Sequence, residues 1–192
     1  MKYLFVLFLI LLANKKLVSQ IDAIRVYEWS EVVNANPDSI LGLSFSKLKL
    51  TYLPVELATF KNLKILDLSK NKLTELPDFI GDFSQLQLLD ISKNELNVFP
   101  IEICKLSEIR ILIANRNTFD KIPECIGYCQ DLERIDLWDT PVMSFPNSIV
   151  NLKKLNEIDL QGVKYGPTFQ SDFQKKIPRV KILFDSPCDC ME

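Results

Sequence analysis

The chain has 192 residues, 47% of them apolar and 25% charged, with a formal charge of −2 at pH 7 and no histidine. That balance fits one ordered domain and gives no support to strong attraction for nucleic acid or an anionic membrane. Without histidine the commonest general base, metal ligand and pH switch are missing, and no Gly-rich phosphate loop is present.

In chain order, Lys2 precedes an apolar run over 3–13, followed by Asn14, Lys15, Lys16 and Leu17-Val18-Ser19-Gln20. The run is short for a membrane span and suits the core of a secretory signal. Residues 1–19 are read as a signal peptide cut after Ser19. Lys2, Lys15 and Lys16 leave with it and no acid does, so the mature charge becomes −5. Leu17 is large for a cleavage motif, and the lysines beyond the run leave an uncleaved membrane anchor as the alternative. The expected location is secreted or periplasmic, within the cell envelope. No integral span is expected once the signal is gone.

Residues 20–39 read as an N-terminal cap, with a short helix over 27–34 stopped by Asn36-Pro37-Asp38. A first strand begins within 40–45. From there prolines recur every 23 residues, at Pro54, Pro77, Pro100, Pro123 and Pro146, each after Leu53, Leu76, Phe99, Ile122 or Phe145. Segments starting at Ile40, Leu63, Leu86, Ile109, Leu132 and Leu155 align without gaps. Such a period marks a stack of equal units. Leu66 and Leu68, with Asp67 between them, predict a half-buried strand. Asn71, Asn94 and Asn117 fall at the turn that follows, where an amide can donate and accept at once. The prolines predict an extended or short helical return, and the apolar pairs Leu57/Phe60, Ile80/Phe83, Ile103/Leu106, Ile126/Cys129 and Ile149/Leu152 fill the core from that side. About six repeats occupy 40–163. The asparagine position decays to Thr140 and then Val163, and 164–187 reads as a C-terminal cap with a helix over 171–177 and a strand over 180–184. A Cys-containing tail, 188–192, ends the chain.

Leu63-x-x-Leu66-x-Leu68-x-x-Asn71-x-Leu73 and Leu86-x-x-Leu89-x-Ile91-x-x-Asn94-x-Leu96 resemble the leucine-rich repeat signature, in the 23-residue, L-P-x-x-I-x-x-L subtype, and the chain is similar to small exported bacterial proteins of that kind. The resemblance covers 40 to about 184. It implies an α/β leucine-rich repeat solenoid, a curved right-handed horseshoe with a parallel concave sheet and short helical or extended convex segments. It also implies protein binding on the concave sheet, with no catalysis and no cofactor.

Outward strand positions would then form rows across that sheet. One holds Gly42, Ile65, Leu88, Ile111, Arg134 and Glu157; the next Ser44, Asp67, Asp90, Ile113, Asp136 and Asp159; a third Ser46, Ser69, Ser92, Asn115, Trp138 and Gln161; a fourth Lys47, Lys70, Lys93, Arg116, Asp139 and Gly162. The lysines are expected to neutralise the aspartates. The paired aspartates fall short of the oxygens a hard cation needs, so no metal site is expected. Ile113 and Trp138 depart from the pattern. With Ile65, Leu88, Ile111, Arg116 and Arg134 they make an apolar strip rimmed by cations, of the type that anchors protein partners. Cover by a cap or terminal tail, or ordinary strand propensity, would explain the same residues.

The five cysteines are Cys104, Cys125, Cys129, Cys188 and Cys190. Export makes a disulfide reasonable, but spacing does not decide which two pair, and buried free thiols at Cys104 and Cys129 are the alternative. The functional expectation is a non-catalytic, monomeric protein-binding module. A structural, envelope-associated solenoid and a carbohydrate-binding protein using Trp138 as a stacking platform are the alternatives.

Overall fold

The computed structural model describes residues 21–185 apart from 22 and 33; the expected signal peptide and the 188–192 tail lie outside the described residues. Eight short strands run parallel in one sheet, in chain order: β1 (Tyr27–Glu28), β2 (Gly42–Ser44), β3 (Ile65–Asp67), β4 (Leu88–Asp90), β5 (Ile111–Ile113), β6 (Arg134–Asp136), β7 (Glu157–Asp159) and β8 (Lys181–Leu183). From β2 to β7 every strand pairs with the residue 23 positions on, Gly42 with Ile65, Ile65 with Leu88, and so to Glu157. The 23-residue period is thus the register of the sheet. This is an α/β leucine-rich repeat solenoid, with short helical turns on the side opposite the strands.

Each return segment is built by its proline. Pro54, Pro77, Pro100, Pro123 and Pro146 sit in extended backbone just before a five-residue 3-10 turn. The carbonyl of each accepts from the N–H three residues on, as in Leu57 N to Pro54 O at 3.1 Å. A proline costs nothing there, because its missing N–H would have no partner in the turn. Leu57, Ile80, Ile103, Ile126 and Ile149 point inward from these turns and are buried against Leu43, Leu66, Leu89, Leu112, Ile135 and Ile158 of the strands. No unit has enough apolar surface to stand alone, so the core is continuous from one repeat to the next.

The asparagine ladder runs as its position predicts. Asn94 donates to Leu68 O (3.0 Å) and Ile91 O (2.9 Å) and accepts from Leu73 N (3.1 Å). Asn71 and Asn117 do the same one repeat away on each side. Where the asparagine is lost, the Thr140 hydroxyl donates to Ala114 O (3.2 Å) and accepts from Asn117 N (3.4 Å).

The ends differ from expectation in detail. Tyr27 and Glu28 are the first strand, not the start of a helix. The helix is only α1 (Trp29–Val32), because pairing with β2 satisfies the preceding backbone. Trp29 stacks on Phe45 at 4.8 Å and closes that end of the core. At the other end α2 (Pro167–Lys176) starts four residues earlier than expected, with Pro167 in its first turn. Phe169 and Phe173 of α2 stack with Tyr165 and Phe145, at 4.6 and 4.2 Å, over the last repeat.

Candidate partner-binding face

The turn after each strand fixes what the outward face presents. The aspartate at the third strand position folds back on its own loop. Asp67 Oδ1 accepts from Ser69 N (2.9 Å), Asp90 Oδ1 from Ser92 N (2.8 Å), Asp136 Oδ1 from Trp138 N (3.0 Å) and Asp159 Oδ1 from Gln161 N (3.0 Å). These carboxylates are turn caps, which is the physical reason for the Asp-x-Ser pattern. The residue three positions after that site takes positive φ at each repeat: Lys47, Lys70, Lys93, Arg116, Asp139 and Gly162. Glycine is needed at 162, because a Cβ there would lie 2.8 Å from Asp139 N and 2.9 Å from its Cα.

The expected neutralisation of the aspartates by lysines is seen, among the described residues, only as the attraction of Asp90 for the Lys93 ammonium. Among the described residues, Lys47, Lys70 and Lys93 form no ion pair. The backbone N–H groups have already taken the carboxylates. Partial burial, then repulsion from Arg116 and Lys70, holds the Lys93 ammonium below the usual lysine range. Burial, with Asp67 next, pushes the Asp90 carboxyl up to about 7.

The structure brings Ile65, Leu88, Ile111 and Ile113 together as the sequence suggests, but not as an open strip. They are 5–6% exposed and form one buried cluster with Ile21, against which Ile24 packs. A Cβ on Gly42 would lie 2.8 Å from the Arg25 carbonyl oxygen, with Val26 and Ile24 side chains at 3.1 and 3.2 Å, which is why that row begins with glycine. The cationic rim is also engaged. Arg134 Nε pairs with Glu157 at 3.4 Å, and Lys181 meets the same carboxylate at 3.1 Å. Arg116 lies 4.4 Å over the half-buried Trp138 ring and pairs with Asp139 at 3.3 Å. One face of the expected sugar-stacking platform is therefore covered by a guanidinium.

Glu157 thus pairs with two cations, and Asp136 also accepts from Asn115 Nδ2 at 3.0 Å. A cleft of about 560 Å³ on the opposite side is lined by Glu124, Tyr128, Ser148 and Lys153 among others. Glu124 there accepts from Ser148 N and Asn147 N, and these bonds hold its carboxyl below the usual range. Among the described residues no three His, Cys, Asp or Glu side chains could hold a metal together, and no helix is long and apolar enough to cross a membrane.

Sequence reasoning could not choose the disulfide. Cys104 and Cys125 are bonded, with Cα atoms 5.5 Å apart, on adjacent return segments. Free thiols at both Cys104 and Cys129 are thereby excluded, and among the described residues Cys129 alone stays a buried thiol, pushed up to about 12 by desolvation.

The fold is that of a leucine-rich repeat solenoid, typically a protein-interaction scaffold. The chain's 61–119 match the family model described as leucine rich repeat. A leucine-rich repeat protein of Leptospira interrogans is similar at 28% identity and a TM-score of 0.72, over 83% of this chain and 40% of that one. Internalin C2 of Listeria monocytogenes shares the fold at 24% identity, TM-score 0.55, over 62% and 50% of the two chains. A plant peptide hormone receptor, RGFR1 in complex with RGF2, shares it at 20% identity, TM-score 0.57, over 77% and 28%. The chain thus spans less than half the length of the Leptospira protein. A search of curated proteins finds no match.

Proposed function

We propose that the chain is a non-catalytic protein-binding module, exported from the cytoplasm, that takes a protein partner on its concave sheet. The observation that carries this reading is the second apolar cluster. Ile65, Leu88, Ile111 and Ile113 are separate from the core and face away from it. The solenoid closes its core without them, and Ile21 and Ile24 already cover their apolar surface, so a partner gains there by replacing that cover. In this reading a partner takes the place of Ile21 and Ile24, with Arg116 and Trp138 at one margin of the contact and Arg134 beside Ile111 in the strip. Aromatic and arginine side chains at the margin of an apolar patch are the usual anchors. The signal-like start and the Cys104–Cys125 bond support export to an oxidising compartment.

The test is crosslinking capture from the source organism's envelope and secreted fractions. It compares the mature chain with Ile111→Asp/Ile113→Asp/Trp138→Asp, after circular dichroism confirms that the variant folds. A partner held by the wild type and lost in the variant is expected. An unchanged catch would reject the concave strip and favour a structural solenoid that packs by its edges.

A further inference from the structure

We infer that Lys47, Lys70 and Lys93 form a docking ladder for an acidic α-helix of a partner protein, on the rim of the sheet beyond the apolar strip. The inference does not depend on the concave strip binding anything. Three observations carry it. The first is register: strands β2, β3 and β4 are paired residue for residue, and each lysine lies three residues after its strand in the same left-handed turn. The side chains therefore leave the backbone in the same direction at the spacing of adjacent strands, about 4.8 Å. The second is that all three lack an ion pair among the described residues. The third is flanking charge. Lys49 and Lys72 are exposed two residues on, and Arg116 continues the row at the next repeat.

Pitch selects the partner. An α-helix places one residue per turn on a given face, about 5.4 Å apart along its axis. Over three intervals the ladder covers roughly 14 Å and the helix roughly 16 Å, a difference flexible lysine side chains absorb. An extended strand presents same-side residues about 6.6 Å apart and falls out of step sooner. Carboxylates at i, i+4, i+7 and i+11 of one helix would each meet a cation. Salt would screen such contacts strongly, since they lie at the surface.

The test uses two synthetic helical peptides of identical composition, built on alanine and glutamine. One carries glutamates at i, i+4, i+7 and i+11; the other disperses them around the helix. Binding to the purified chain is read by fluorescence anisotropy at low and at physiological salt. The striped peptide is expected to bind at least about tenfold more tightly at low salt. That preference should vanish in Lys47→Gln/Lys70→Gln/Lys93→Gln and weaken with salt. Lys93→Glu, a single exposed change, serves should the triple variant misfold, and should reduce striped-peptide binding more than dispersed. Equal binding of the two peptides, no binding of either, or an unchanged preference in the lysine variants overturns the inference. So does tighter competition by polyphosphate or a sulfated glycan than by the striped peptide.

Discussion

Replacing Asn94 by alanine measures how much of the fold the turn amides carry. The side chain is buried, and its loss removes two close donated bonds and one accepted bond. The two carbonyls are not orphaned. Leu68 O still accepts from Asn71 Nδ2 at 2.9 Å, and Ile91 O from Asn117 Nδ2 at 3.0 Å. Leu73 N–H has no other acceptor. The cost is then one buried unsatisfied donor, about 1–3 kcal/mol, plus two bonds at about 0.5–1.5 kcal/mol each. A loss of about 3–4 kcal/mol is expected. Thr140→Ala removes one bond at 3.2 Å, Ala114 O keeps Asn117 Nδ2, and the Asn117 N–H loses only a poor 3.4 Å bond, so a smaller loss of about 2 kcal/mol is expected there. Urea unfolding followed by far-UV circular dichroism gives both values, and hydrogen exchange should show the Leu73 amide losing protection only in Asn94→Ala. Equal costs for the two variants, or less than about 1 kcal/mol for Asn94→Ala, would refute the reasoning that a shared amide ladder holds the turns.

Three further outcomes are expected. Cys125→Ser, or reduction, should cost about 3 kcal/mol, because the Cys104–Cys125 bond closes a loop with a sequence separation of 21; urea midpoints with and without reductant check this. Asp90 has its folded pKa raised to about 7 against an unfolded value near 4, so its favourable contribution is complete below about pH 4 and is lost as pH rises through 7. Asp90→Asn should therefore match the wild type near pH 4 and exceed it by about 2–4 kcal/mol at pH 8; a gain of equal size at both pH values in thermal melts would refute the assignment. Ile21→Asp should uncover the strip and raise fluorescence of a hydrophobic dye at unchanged circular dichroism, whereas no rise would mean that Ile21 does not hold the strip dry.

Much of this architecture was legible because its period is covalent. A 23-residue spacing of Pro54 to Pro146 becomes the strand register directly, and Leu66 or Asn94 acquires its role from position alone. What the sequence concealed depends on which partner wins a side chain. Asp67 and Lys70 look like an ion pair in one dimension, yet Ser69 N takes the carboxylate first, since the loop already holds that donor in place. Arg134 and Arg116 look like free rim cations, but β7 brings Glu157 and the next turn brings Asp139 to them. The cover on Ile111 and Ile113 comes from Ile21, outside the periodic segment, where no repeat rule applies. Cys104 and Cys125 differ by 21 rather than 23 positions, so their meeting follows from the return segments' geometry and not from the period.

The left-handed turns connect the two proposed surfaces. Lys47, Lys70, Lys93, Arg116 and Asp139 all hold φ between 54° and 65°, a conformation that costs a non-glycine residue about 1–2 kcal/mol. Around Lys70 and Lys93 an aspartate cap on one side and an asparagine amide on the other fix that conformation. The strain is therefore met there by hydrogen bonds local to the turn. The repeated left-handed turn, set by the 23-residue period, is what aligns the lysines. The apolar strip lies on the strands just before these turns and the ladder just after them, so a protein reaching across one turn would meet apolar surface first and then cations.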